Sequence, residues 1–199
     1  MVLLSLLLAF ALAGLTSASE RNPDNGKPRI IVFGAHSDHR YTGILMQDAA
    51  YMVTVTFYCP DVPRLSKNPV LLYLPDGFQK PNPFGPDVVV AIDDIIEQKA
   101  NALRLLESQI KSLWATGNFE KVVPVPKAEA EREARRKAMH YRFKRRAESV
   151  ANKYRAKLIE LYGEEKGKKI RYAEAFELCE YGGRASPDKL KQLFPFFER

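Results

Sequence analysis

The chain of 199 residues carries a formal charge of +7, is 11% aromatic and holds only two cysteines, Cys59 and Cys179. That length suits one domain able to bury a real core, and two cysteines exclude the disulfide framework on which small secreted domains depend. No CxxC or Cys/His zinc-knuckle spacing occurs. The basic excess gathers between Arg132 and Arg146 and between Lys157 and Lys169, a layout that allows anionic partners and suits a solvated helix face equally.

In chain order, the apolar run Val2 to Leu15 followed by Thr16-Ser17-Ala18-Ser19 reads as a secretory signal peptide, 1–18, cleaved after Ala18. It falls short of the roughly 20 apolar residues of a stable membrane span. Residues 19–28, with "RNPDNGK", form a polar connector, and 29–199 form the domain. Arg29 to Phe33 is an apolar, β-branched strand that exits through Gly34-Ala35 into a loop bearing His36, Asp38 and His39. A helix starts at Tyr41 or Thr42 and runs through Met52 into "YMVTVTFYC", which is β-rich. Cys59 to Asp87 is a proline-punctuated loop around one buried strand, Val70 to Leu74.

Asp87 to Ile92 is the clearest strand. The helix after it has Asp94 and Glu97 at capping-box spacing and an apolar stripe from Ile95 to Leu113. Trp114 to Val125 connects to a long charged helix, Ala128 to Tyr162, with Ala147, Val150, Tyr154, Leu158 and Leu161 on one face and Gly163 as its stop. Ser186-Pro187-Asp188 starts a short terminal helix. Strand, loop, helix, strand, helix is an α/β order and predicts a mostly parallel sheet with flanking helices. Such sheets bind ligands beyond the carboxyl ends of their strands, where the His36 to His39 loop falls. The chain has no Walker, dinucleotide-binding or nucleophile-elbow pattern and no internal repeat.

A hydrolytic zinc site takes three protein ligands, commonly His and carboxylate, and leaves a fourth position for water. A carboxylate then accepts the water's proton, and a further donor steadies the oxyanion. "HSDH" supplies two imidazoles and a carboxylate, and His at i and i+3 can converge on one ion if the loop curls. By spacing alone, a metal site and a polar loop that caps the next helix both remain open.

The stretches "RIIVFGAH", "HSDHRYTGILMQDAA", "NPFGPDVVVAIDDIIEQKANALRLLESQ" and "IRYAEAFELCEYG" together resemble the PIG-L-type, LmbE-like deacetylases. The resemblance covers nearly all of the chain beyond the connector. It implies a Rossmann-like α/β fold and zinc-dependent hydrolysis of the N-acetyl group of N-acetylglucosamine derivatives. The family carries two separate motifs. In A-H-P-D-D, the His and second Asp bind zinc and the first Asp is the base. In H-P-x-H, the last His is the third ligand and the first polarises the carbonyl. Here both are fused at one histidine, and the long segment between them is missing, so the fold is expected to be truncated. Read as the first motif, His36 is a ligand, Asp38 the base, and His39 replaces the second Asp. Read as the second, His36 is the polarising group and His39 a ligand. The resemblance therefore implies His36 and His39 as metal residues, Asp38 and His36 as catalytic residues, and zinc held weakly or not at all.

His140 lies among basic residues and reads as a solvated surface histidine. The basic helix lacks groove-reading motifs and a base-stacking aromatic set, so no nucleic-acid partner is expected. Glu174 and Glu177 stand at helical i, i+3 spacing, which permits a two-carboxylate reading beside a surface one; Tyr181 and Arg184 are candidate sugar contacts. The expected partner is an amino-sugar small molecule or glycan, met outside the cytoplasm, with no stable membrane span. The contrasting expectation, from another class, is a non-catalytic remnant or interaction module of the same fold.

Overall fold

The computed structural model describes residues 30–33, 40–75, 82–103, 105 and 126–197. It is a mixed α/β structure, and the chain divides into two compact units, Met1–Val88 with Ala175–Arg199, and Val89–Glu174.

In the first unit, β1 (Ile30–Phe33) pairs in parallel with β2 (Val70–Tyr73), Ile30 opposite Val70 and Phe33 opposite Tyr73. Between them runs α1 (Arg40–Met52), so β1, α1 and β2 make one strand–helix–strand crossover of the kind parallel pairing needs. Val70, Leu71 and Leu72 are all buried, as expected of a strand covered on both faces. Leu71 packs with Ala50 of α1 and with Cys179, joined by Met46 and Tyr73. The outward side of α1 leaves Tyr41, Leu45 and Tyr51 exposed. The last helix, α6 (Pro187–Leu193), has Pro at its first turn and Ser186 as its cap, whose Oγ accepts from Lys189 N at 3.2 Å. It leads into the buried rings of Phe194 and Phe197, stacked at 5.3 Å.

β3 (Val88–Ala91) and β4 (Ala173–Leu178) are the remaining described strands, and the strand order is β1-β2-β4-β3. β4 is antiparallel to β2, with Leu72 opposite Leu178 and Tyr73 opposite Glu177. It also runs against β3, since Asp87 N donates to Phe176 O at one end and Ile92 N to Tyr172 O at the other. The sequence order predicted a mostly parallel sheet. Among the described residues β1 and β2 are the parallel pair, and β4 reverses the pattern by lying between β2 and β3.

The second unit is helical. α2 (Ile96–Leu103) buries Ile96, Lys99 and Ala100. The long charged helix is broken into α3 (Glu129–Lys153) and α4 (Arg155–Tyr162) at Tyr154, where φ is −109° and ψ 31°. Gly163, at φ 80°, stops α4 as its sequence position predicts. α5 (Glu164–Lys169) then folds back so closely that a Cβ on Gly167 would lie 2.6 Å from Ile159 Cα. The Arg155 guanidinium donates to the carbonyls of Gly167 and Ile170 at 2.8 and 2.5 Å, satisfying acceptors that α5 leaves open. Tyr162 anchors α4 to β3, its hydroxyl accepting from Ala91 N at 2.9 Å.

Two further expectations are corrected. "YMVTVTFYC" is not a strand: Tyr51 and Met52 end α1 and the rest is a run of turns. Val53 N and Val55 N donate to Ala49 O and Met52 O, and Thr54 Oγ1 donates to Tyr51 O at 3.1 Å, so local bonds satisfy the backbone. Conversely, "AEAFEL" is a strand and not the helical stretch that Glu174 and Glu177 suggest.

Candidate functional site

His36, Asp38 and His39 lie in residues 34–39, outside the described residues. Their described flanks are β1, which ends at Phe33, and α1, which starts at Arg40. Tyr73 is paired in register with Phe33, so the carboxyl ends of the two parallel strands lie side by side where β1 hands over to that segment.

The described side chains around this edge are polar and held. Tyr73 Oη accepts from Gln47 Nε2 of α1 at 2.7 Å. Burial, reinforced by the neighbouring Cys179 thiol, pushes its pKa well above the ordinary phenol range, so Tyr73 acts as a neutral hydroxyl at any physiological pH. Opposite it, Glu177 Oε1 accepts from Gly85 N at 3.3 Å. Asp87 Oδ2 accepts from Leu178 N at 2.7 Å and fixes the entry to β3. Away from this edge, toward the amino end of β2, Cys179 N donates to Leu71 O, and Gly183 N to Pro69 O at 2.7 Å. A Cβ on Gly183 would sit 2.5 Å from Asn68 O, and one on Gly182 2.8 Å from Leu71 N. These close approaches require glycine, a role not visible in the sequence. Tyr181 and Arg184, the candidate sugar contacts, are exposed. Cys59 and Cys179 are free thiols, one exposed and one buried.

Glu174 and Glu177 do not form a carboxylate pair. Positions three apart on a strand face opposite ways, and each has its own partner. Glu174 takes the buried Lys99, whose Nζ lies 2.6 and 2.5 Å from its two oxygens.

His140 is on the surface, as expected, with 27% of its side chain accessible, but it has a partner. Its Nε2 is 2.9 Å from Glu97 Oε2, while Lys144, one turn further along α3, holds Glu97 Oε1. The Lys144 hydrogen bond keeps the Glu97 carboxyl below the ordinary carboxylate range, and the same bond raises Lys144. A His and a Lys spaced i, i+4 on one helix face are the sequence signal for this cluster; its acid, on α2, has none.

Among the described residues no group of three or more His, Cys, Asp or Glu is arranged to hold a metal ion. The donor chemistry that suits zinc, two imidazoles and a carboxylate, belongs to His36, His39 and Asp38, one protein ligand short of a full site if Asp38 serves as base. No helix among the described residues is long and apolar enough to cross a membrane. No family model, curated protein or solved structure matches the chain.

Proposed function

We propose that the chain is a metal-dependent amide hydrolase relative with an incomplete site. More narrowly, it is a shortened PIG-L-type N-acetylglucosamine deacetylase, exported, with a Rossmann-like parallel core reduced to β1, α1 and β2. The observation that carries the reading is positional. The "HSDH" stretch joins the carboxyl end of a parallel strand to the start of the next helix, the place where α/β sheets bind ligands. The exposed apolar side of α1, with Tyr41, Leu45 and Tyr51, is in keeping with a fold that has lost a covering segment.

In this reading His36 and His39 hold zinc and Asp38 takes the proton of the attacking water. When bound, zinc would polarise the acetamide carbonyl and acidify the water. Because His36 cannot be both a ligand and the carbonyl-polarising group, one role of the full constellation stays unfilled. A catalytic group misplaced by about 1 Å already costs about a hundredfold in rate, so acetate release should fall at least that far below a complete enzyme.

The test measures zinc stoichiometry and acetate release from N-acetylglucosamine derivatives, for the chain and for His39→Ala. Weak, chelator-sensitive zinc that His39→Ala abolishes, with turnover near background, is the expected result. Full turnover lost on Asp38→Ala would show that the merged motif is a complete site. Absence of zinc from the unaltered chain would leave the non-catalytic interaction module as the better reading.

A further inference from the structure

The second unit carries a trough of about 520 Å³ along one face of α3, walled by Arg171 and Tyr172. Its α3 contributors recur every three or four residues from Glu133 to Glu148, so they form one stripe of the helix. Five Lys or Arg side chains line it with two Glu, and Glu129 and Glu97 beside the lining pair with two of the five, which leaves an excess of one positive charge. The cations cluster at two places: Arg136 with Lys137, and Lys144 with Arg145. Eight residues separate the clusters, about 12 Å along the helix axis.

The lining cations differ in how far they are committed. Arg136 is held by Glu133 and Glu129, Lys144 by Glu97, and Arg171 by Glu148. Lys137 and Arg145, one in each cluster, carry no ion pair among the described residues; Arg145 instead lies over the Tyr141 ring at 6.0 Å. Tyr172 is buried with Lys144 and Arg171 both over its ring, at 5.4 and 5.1 Å. The trough is therefore braced by neutralised pairs and offers one unneutralised cation near each end.

We infer that this trough binds a short linear oligophosphate, a chain of phosphates that spans from Lys137 to Arg145. The volume suits a small molecule. Of the two cations left without an ion pair, Arg145 is an arginine, whose planar fork matches tetrahedral oxyanions two bonds at a time. Two charge clusters about 12 Å apart select a ligand with several anionic groups in line over a single phosphate. The exposed Tyr141 ring lies between the clusters and gives a nucleotide's base a stacking face, so the oligophosphate has two possible sources, a free chain or the tail of a nucleoside triphosphate.

The experiment is calorimetric titration of the whole chain at physiological salt with inorganic tripolyphosphate, ATP, orthophosphate and a heparin-derived oligosaccharide. The variants are Lys137→Glu/Arg145→Glu, its milder form Lys137→Gln/Arg145→Gln, and a control, Lys168→Glu/Lys169→Glu, in exposed pairs on α5. Tripolyphosphate should bind at least about tenfold more tightly than orthophosphate. Both trough variants, checked for unaltered melting, should lose about tenfold or more in affinity, as the loss of two charge-assisted bonds implies, and the control should not. Tighter binding of ATP, weakened by Tyr141→Ala, would assign the nucleotide source, and equal binding the free chain; either supports the site. No binding, equal affinity for orthophosphate, tighter binding of the sulfated oligosaccharide, or an equal loss in the control would overturn it.

Discussion

Replacing Glu174 by Leu should unfold the second unit several degrees early, although a single side chain changes and no backbone bond is lost. Lys99 and Glu174 keep only 8% and 14% of their side-chain surface in water, and the ammonium is shared between both carboxylate oxygens. Removing one partner from such a pair leaves the other charge nearly dry, at a cost of about 3 kcal/mol, the low end for buried pairs because each group retains a little contact with water. In a chain of this size a loss of that order lowers the melting temperature by about 6–12 °C. Lys99→Met should cost a similar amount, since it strands the carboxylate instead. The double variant Lys99→Met/Glu174→Leu removes both charges, and apolar side chains of comparable size should restore stability to within about 1 kcal/mol of the parent. Thermal unfolding followed by circular dichroism, run on all four proteins, measures the cycle. If each single variant melts within about 2 °C of the parent, or if the double variant loses the sum of the two single losses, the pair is not the coupled, desolvated contact described above.

Burial pushes the Tyr162 hydroxyl up to about 12, so the folded chain keeps a proton that the unfolded chain releases near pH 10; its contribution is whole below that pH and is lost as pH rises toward 12. Tyr162→Phe should cost about 1–2 kcal/mol at neutral pH by leaving Ala91 N without its acceptor, and should flatten the alkaline fall in melting temperature; an unchanged alkaline slope in the variant would refute the assignment. Gly183→Ala and Gly167→Ala should each destabilise by about 1–3 kcal/mol because the new methyl meets backbone atoms. Gly85→Ala should be near neutral, since its methyl would meet only Glu177 Oε1 at 3.8 Å; equal losses at all three positions in chemical denaturation would contradict the packing account.

The elements that could be read from the sequence are those whose signal is local. Val70 to Tyr73 and Val88 to Ala91 are unbroken apolar runs, and both are strands with three buried residues in succession. Ser186-Pro187 marks its helix start because the cap and the fixed proline angle act within one turn. β4 was not legible, because "AEAFEL" is rich in alanine and glutamate, which favour helix. Its pairing with β2 and β3 overrides that preference, and those partners lie about a hundred residues earlier in the chain. "TVTFYC" is the converse, a run with strand propensity and no partner among the described strands. Lys99 reads as a solvated helix charge until Glu174, 75 residues away, is brought to it.

The same distinction between local and distant signals bears on the proposed site. Three zinc-type donors within four residues are visible in sequence because they are adjacent, whereas a catalytic constellation also needs groups that arrive from elsewhere in the fold. If the two family motifs are fused at His36, the junction lies inside the segment that joins β1 to α1. A fusion there leaves strand, helix and strand in order, and β1 and β2 still meet in parallel register over four residues. Loss of the intervening segment would then remove catalytic partners without removing the crossover that lets this part of the chain fold. Stability and activity become separable. Under the proposed function, a well-folded chain with weak zinc and little turnover is therefore the expected outcome, and a cooperative melt by itself would be no argument for a working active site.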